Sequence, residues 1–129
     1  MRRSDQRRDA VFALYQHDVT GRPLAELLAG AKPFTRELAE GADAERAALD
    51  AEIARRSRGW PPERLGALER SILRVALHEL RSRDDVPDEV AIDEAVGLAK
   101  RYCGAEAPGF VNGILGAVVR DRAEVAHER

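Results

Sequence analysis

Between positions 65 and 80 the chain carries Leu65, Leu68, Ile72, Leu73, Ala76, Leu77 and Leu80. These residues recur at helical spacing but spread over more than one narrow stripe. A helix built from them can hide its apolar surface only by touching several neighbours at once. That demand predicts a central helix within an all-helical fold. The rest of the chain agrees: Ala, Leu, Arg and Glu dominate, Thr occurs only at Thr20 and Thr35, and no stretch shows sustained two-residue alternation. The one Asn-Gly pair, Asn112-Gly113, lies inside a helical pattern and not between strands.

The flanking segments supply the partners. A first helix is predicted over Ser4 to Val19, with Ser4 as N-cap, an apolar stripe at Val11, Leu14, Tyr15 and Val19, and Thr20-Gly21 as its stop. Pro23 opens a short helix through Leu24, Leu27 and Leu28, ended by the turn chemistry of Gly30 to Pro33. A third, longer helix follows and uses Phe34, Leu38, Leu49 and Ile53, with Gly41 as its weak point. Gly59-Trp60-Pro61-Pro62 is the sharpest break, because prolines cannot continue a helix interior and push the preceding residue towards extended geometry. It divides a single domain, 1–129, into an N-terminal helical subdomain, 1–60, and a C-terminal one, 61–129. Asp84 to Pro87 ends the central helix, Val90, Ala91, Ala95, Leu98 and Tyr102 mark the next, and Gly104 stops it. Phe110, Val111, Ile114, Leu115, Val118 and Val119 mark the last, before a mixed-charge tail from Arg120 that is expected to fray. Six helices in two small bundles are expected.

Composition narrows the chemistry. With 44% hydrophobic and 34% charged residues the chain is neither disordered nor membrane-spanning, since no apolar run approaches 18 residues. The basic start lacks the apolar core of a secretory signal, which predicts a cytoplasmic protein. Cys103 stands alone, so cysteine supplies neither an internal disulfide nor, by itself, a metal site. His17, His78 and His127 are scattered outside any metal-binding spacing, and His17 and His78 read as surface or partner residues. No nucleophile elbow occurs, and Asp84-Asp85 and Asp93-Glu94 are the neighbours that 23 acidic residues produce by chance. Gly109, Gly113 and Gly116 follow no strand and precede no Lys-Ser/Thr pair, so they form no phosphate loop; Gly113 and Gly116 are expected to allow close helix contact. No catalytic residue, metal or cofactor is expected.

Charge is more informative in its distribution than in its sum. Arg2, Arg3, Arg7 and Arg8 against Asp5 give residues 1–8 a charge of +3, and the overall −2 leaves −5 for the remainder. A basic arm is thus joined to an acidic body. Arg3 and Arg7 lie one helical turn apart, and guanidinium groups so placed can follow the phosphates of a single-stranded backbone. RNA binding therefore stands above the other readings, the alternative being an arm that is merely solvated charge.

Several segments then come together in order: Ala-Val-Phe-Ala-Leu-Tyr-Gln-His-Asp from Ala10, Glu-Arg-Ser-Ile-Leu-Arg-Val-Ala-Leu-His-Glu-Leu from Glu69, Asp85-Val86-Pro87, Val-Ala-Ile-Asp-Glu-Ala-Val from Val90, Leu98-Ala99-Lys100, and Phe-Val-Asn-Gly-Ile-Leu from Phe110. With the arginine-rich start, this set resembles the NusB family of bacterial transcription antitermination factors over nearly the whole length. The resemblance implies two helical bundles and no enzymatic activity. It also implies a partnership with NusE, a small-subunit ribosomal protein, in binding boxA RNA of ribosomal RNA operons and helping RNA polymerase pass terminators. By this likeness Arg2, Arg3, Arg7 and Arg8 of the arm, together with Lys100 and Asn112, are the expected RNA contacts. Tyr15 and Glu79 are the expected NusE contacts, so Glu79→Lys is expected to weaken NusE binding more than folding. Three positions depart from the family pattern: Asp5 interrupts the basic arm, Asp93 replaces Asn and so removes a donor from a helix contact, and Gly116 replaces an acidic residue. The alternative is the RNA-recognition domain of a ribosomal RNA cytosine methyltransferase, which needs a methyltransferase domain after it.

Overall fold

The structure is a computed structural model that describes residues 1–57 and 65–128. Among the described residues seven helices follow one another and there is no strand: α1 (Arg3–Thr20), α2 (Leu24–Leu27), α3 (Pro33–Ala44), α4 (Arg46–Arg56), α5 (Ala67–Ser82), α6 (Asp88–Tyr102) and α7 (Ala107–Glu128). The expected junction at 59–62, Trp60 included, lies outside the described residues.

The α5 helix is the hub that its sequence demands. All ten residues from Ser71 to Leu80 are buried, and the helix packs against α1, α3, α4, α6 and α7. Four of the ten are polar, and each finds a partner, as burial requires. Ser71 Oγ donates to the Ala67 carbonyl at 2.9 Å, Arg74 donates to both oxygens of Asp50 at 2.7 and 3.0 Å, His78 Nδ1 meets Glu45 Oε1 at 2.5 Å, and Glu79 accepts from Arg7. His78 is therefore a buried residue and not the surface histidine expected from its isolation in sequence. His17 is half-buried, its Nδ1 lying 2.6 Å from the Arg22 carbonyl oxygen.

The expected third helix is two. Glu45 leaves helical geometry at φ −97° and ψ 9°, and its carboxylate turns inward to His78 with Ser82 and Arg81 nearby. This corner lets α3 lie on α1 and α5 while α4 runs along α5 and reaches α7. Gly41 makes room for it: a Cβ there would stand 2.3 Å from His78 Cε1.

Helix ends depart from expectation in two places. Arg2, and not Ser4, precedes α1, and Ser4 Oγ instead donates to Glu94 of α6 at 2.6 Å. The tail does not fray at Arg120, for α7 continues to Glu128. Arg122 Nη1 donates to the Leu80 carbonyl at 2.5 Å, satisfying one of the acceptors left open at the end of α5, and Nη2 donates to Asp88 at 2.8 Å. Gly21 stops α1 as expected, in left-handed geometry at φ 75° with its N–H donating to the His17 carbonyl. Three apolar positions assigned to stripes, Val19, Val90 and Tyr102, are exposed at the edges of their helices. Gly113 has open space where a Cβ would stand and Gly116 meets only the far end of Arg120, so neither mediates close helix packing.

Candidate nucleic-acid interface

The arm is the first two turns of α1, laid across α5, α3 and the turn before α6. Its four arginines have different fates. Arg7 points inward: its side chain forms hydrogen bonds with Glu79 from Nη2 to Oε1 at 2.6 Å and from Nε to Oε2 at 2.8 Å, and Glu94 Oε1 lies 3.6 Å from Nη1. Arg7 is 3% exposed and Glu79 is 1% exposed. Arg3 stays at the surface, stacked over the Phe34 ring at 4.3 Å and donating to Asp85 Oδ2 at 2.9 Å. Arg83 donates to the same carboxylate at 3.0 and 3.1 Å, and these bonds from Arg83 and then Arg3 hold Asp85 down at a pKa of about 2. Arg2 lies 3.6 Å from Asp5, and Arg8 reaches Asp5 and Asp9 at 3.5 and 3.2 Å.

Asp5 thus bridges the two outer arginines and screens both. Each arm arginine has a carboxylate partner, yet the partnerships are unequal. Solvent-exposed pairs contribute about 0–1 kcal/mol and exchange readily for a phosphate. Breaking a buried, multiply bonded pair costs about 3–5 kcal/mol. Arg2 and Arg3 are exposed and Arg8 is half-exposed, while Arg7 is committed to the fold.

A groove of about 330 Å³ runs between the arm and α6, with Arg2, Ser4 and Arg8 on one wall and Asp93, Gly97 and Arg101 on the other. Asp93 is exposed there, its side chain without a hydrogen bond among the described residues. Lys100 is exposed on α6 with no ion pair among the described residues. Asn112 is exposed on α7 between Gly109 and Gly113, both of which have open space around them. Tyr15 is half-buried on α1, neither wholly core nor wholly free.

Glu79 is the residue whose placement differs most from its sequence reading. It was expected at the surface, where a charge reversal acts on a partner; it lies inside, where a reversal acts first on folding. The sequence reading placed Phe34 in the core stripe of the third helix but not beside the arm, where Arg3, Arg7 and Arg83 gather around its ring at 4.3, 5.3 and 5.2 Å. Arg101 in the groove wall was missed too, although its place directly after Lys100 was a signal. No cluster of three or more His, Cys, Asp or Glu side chains is placed to hold a metal ion among the described residues. Nor is any described helix long and apolar enough to cross a membrane.

Comparison with known proteins bears on what this surface is. The NusB family model matches residues 4–120. The transcription antitermination protein NusB of Rubrobacter xylanophilus is 45% identical over 122 residues, covering 89% of this chain and 88% of that protein. The protein of the same name from Bifidobacterium animalis subsp. lactis is 39% identical over 129 residues, covering 92% of this chain and 84% of its own length. Among solved structures, T. maritima NusB superposes with a TM-score of 0.84 at 32% identity, covering 93% of this chain and 92% of that one. A chain from the crystal structure of antitermination factors NusB and NusE in complex with dsRNA superposes with a TM-score of 0.76 at 26% identity, covering 94% of this chain and 99% of that one. Since the match takes in nearly all of α1, the buried hub and the whole of α6, this chain belongs to the NusB family.

Proposed function

We propose that the chain is a non-enzymatic transcription antitermination factor that binds single-stranded boxA RNA together with NusE and, in a cytoplasmic complex with RNA polymerase, promotes transcription of ribosomal RNA operons. The observation that carries this reading is the exposure of Arg2 and Arg3 and the half-exposed Arg8, with Arg2 and Arg8 facing Arg101 across the α1–α6 groove. Support comes also from the relatives named as transcription antitermination proteins and from the similar chain crystallised with NusE and dsRNA. In this reading Arg2, Arg3, Arg8, Lys100 and Asn112 contact RNA, and Tyr15 contacts NusE. Arg7 and Glu79 serve from within, fixing the start of α1 so that its neighbours face the ligand.

Phosphate contacts release counterions, so they are counted by salt. With NusE present, titrations of boxA and scrambled RNA at several salt concentrations are expected to give a log affinity that falls linearly with log salt. Replacing Arg3 and Arg8 together by Ala is expected to make that slope shallower by about 1.4, from about 0.7 per phosphate on a single strand. Both RNAs should lose affinity alike, because phosphate contacts position without reading sequence. An unchanged slope would discard the phosphate role, and a loss confined to boxA would assign these arginines to base reading.

A further inference from the structure

We propose that Tyr102, at the C-terminal end of α6, is a stacking platform for one unpaired base of the bound RNA, with Arg101 holding the phosphate beside it. The proposal rests on the RNA-binding reading above and names what the end of α6, next to the α1–α6 groove through Arg101, selects. Tyr102 stands off the buried face of its helix, which is formed by Ala91, Ala95, Leu98 and Ala99, and is 41% exposed. A lone exposed ring is ordinary. The setting of this one is not. Phe12 of α1 meets it in a T-shaped contact, with centroids 5.0 Å apart and planes at 78°, so the ring is oriented by the same helix that carries the basic arm. Arg101 lies with its guanidinium carbon 5.8 Å from the Tyr102 ring centre, and its side chain lines the groove opposite Arg2 and Arg8. Lys100 precedes them, exposed.

The groove alternates Arg2, Arg8 and Arg101 with Asp5, Asp93 and Glu94, so its cations stand singly, and Lys100 and Arg101 lead directly to an anchored, half-exposed aromatic; cations beside such a ring are an arrangement that binds single strands. Cations follow the backbone, and a splayed base lays its π-face on the ring. A guanidinium next to an aromatic can serve the phosphate and the stacked base together, being planar and weakly hydrated. Duplex RNA cannot use such a platform, because its bases are already stacked on one another. The end of α6 therefore prefers unpaired RNA through Tyr102, while the arginines alone accept either form.

The test is fluorescence anisotropy with labelled boxA RNA and NusE, comparing the wild type with Tyr102→Ala, Tyr102→Leu and Tyr102→Phe. The Ala and Leu variants are expected to bind at least about fivefold more weakly, the lower end of what one base–aromatic stack contributes, with an unchanged salt slope. Phe should retain wild-type affinity. Leu keeps an apolar contact for Phe12, so it separates loss of stacking from loss of packing, and circular dichroism confirms that each variant is folded. RNAs made abasic at one position at a time should reveal a single site where removing the base weakens the wild type several-fold and Tyr102→Ala not at all. Equal binding by wild type and Tyr102→Ala overturns the platform, as does an equal loss on duplex RNA of the same sequence or additivity at every abasic position. Wild-type protein that binds no RNA overturns the proposed function itself, a result distinct from the others.

Discussion

Reversing the charge at Glu79 tests the inner ion pair directly. The carboxylate accepts three hydrogen bonds from Arg7 at 2.6, 2.8 and 3.1 Å across 72 residues of sequence, and both groups are almost wholly buried. Removing one partner of such a pair costs about 3–5 kcal/mol, because the other charge is stranded away from water. Lys at this position adds a second cation near the first. Two unit charges about 4 Å apart repel by about 4 kcal/mol at an effective dielectric constant of about 20, an amount that Glu94, 3.6 Å from Arg7, partly relieves. The sum rivals the whole stability of a domain, about 5–15 kcal/mol. Glu79→Lys is therefore expected to be largely unfolded, and Glu79→Gln to lose about 3 kcal/mol, a fall in Tm on the order of 10 °C or more. Urea unfolding followed by circular dichroism measures both. The double variant Arg7→Met with Glu79→Leu should recover most of the loss, since an apolar pair of similar volume leaves no fully buried charge unpaired, and Glu94, partly exposed, keeps its hydrogen bond from Ser4. If Glu79→Lys keeps the wild-type urea midpoint and loses only NusE affinity, Glu79 is a surface residue and the account of α1 anchoring fails.

Four other outcomes are expected. Leu73→Ala or Leu77→Ala, each fully buried in α5, should cost about 2–5 kcal/mol in urea unfolding, and near-neutral curves for both would remove α5 from the centre of the fold. Gly41→Ala improves helix propensity by about 1 kcal/mol, yet it should destabilise by about 1–3 kcal/mol net because its Cβ displaces His78 from Glu45; a stabilised variant would contradict that packing. Asp85 titrates at about 2 instead of 3.8, so the stability from its ion pairs is present above pH 3.8 and lost as pH falls through about 2. In a carboxyl NMR titration Arg83→Ala should raise that midpoint more than Arg3→Ala, since Arg83 donates two bonds to Arg3's one; no movement in either variant would refute the pairing. Burial, with a smaller push from Glu69, raises the Cys103 thiol to about 11, so iodoacetamide should label the native protein slowly at pH 8 and faster as pH rises; rapid labelling at pH 8 would refute it.

The hub helix was legible because its apolar residues outnumber what one stripe can hold, a property written locally in 65–80. The stop at Gly21 was legible for a similar reason, since Gly enters left-handed geometry without a Cβ penalty. The corner at Glu45 was not. It is set by a histidine 33 residues away and by the space over Gly41, and nothing in the helical spacing of Leu38, Leu49 and Ile53 records either. The tail was misread for the same cause: Arg122 is held by a carbonyl 42 residues earlier in the chain. Polar residues inside α5 defeat local reading most completely. Ser71, Arg74, His78 and Glu79 break the apolar pattern and suggest a solvated face, while three of the four are buried against carboxylates or arginines from α1, α4 and the α3–α4 corner.

The arm shows how far a count of charges can mislead. Arg3 and Arg7 are one turn apart on one helix face and both lie against Phe34, so spacing makes them equivalent. The difference lies in what approaches from the other side: α5 brings Glu79 beneath Arg7 at the buried end, and the turn before α6 brings Asp85 beside Arg3 in water. A phosphate competes with Asp85 for Arg3 on nearly even terms, because exposed pairs are separated by water at little cost. It cannot compete with Glu79, since opening that pair strands a carboxylate in the core. The charge the arm can offer is thus decided by the dielectric around each partner, and Arg7, whose partner is buried, fixes the helix at whose start Arg2, Arg3 and Arg8 stand.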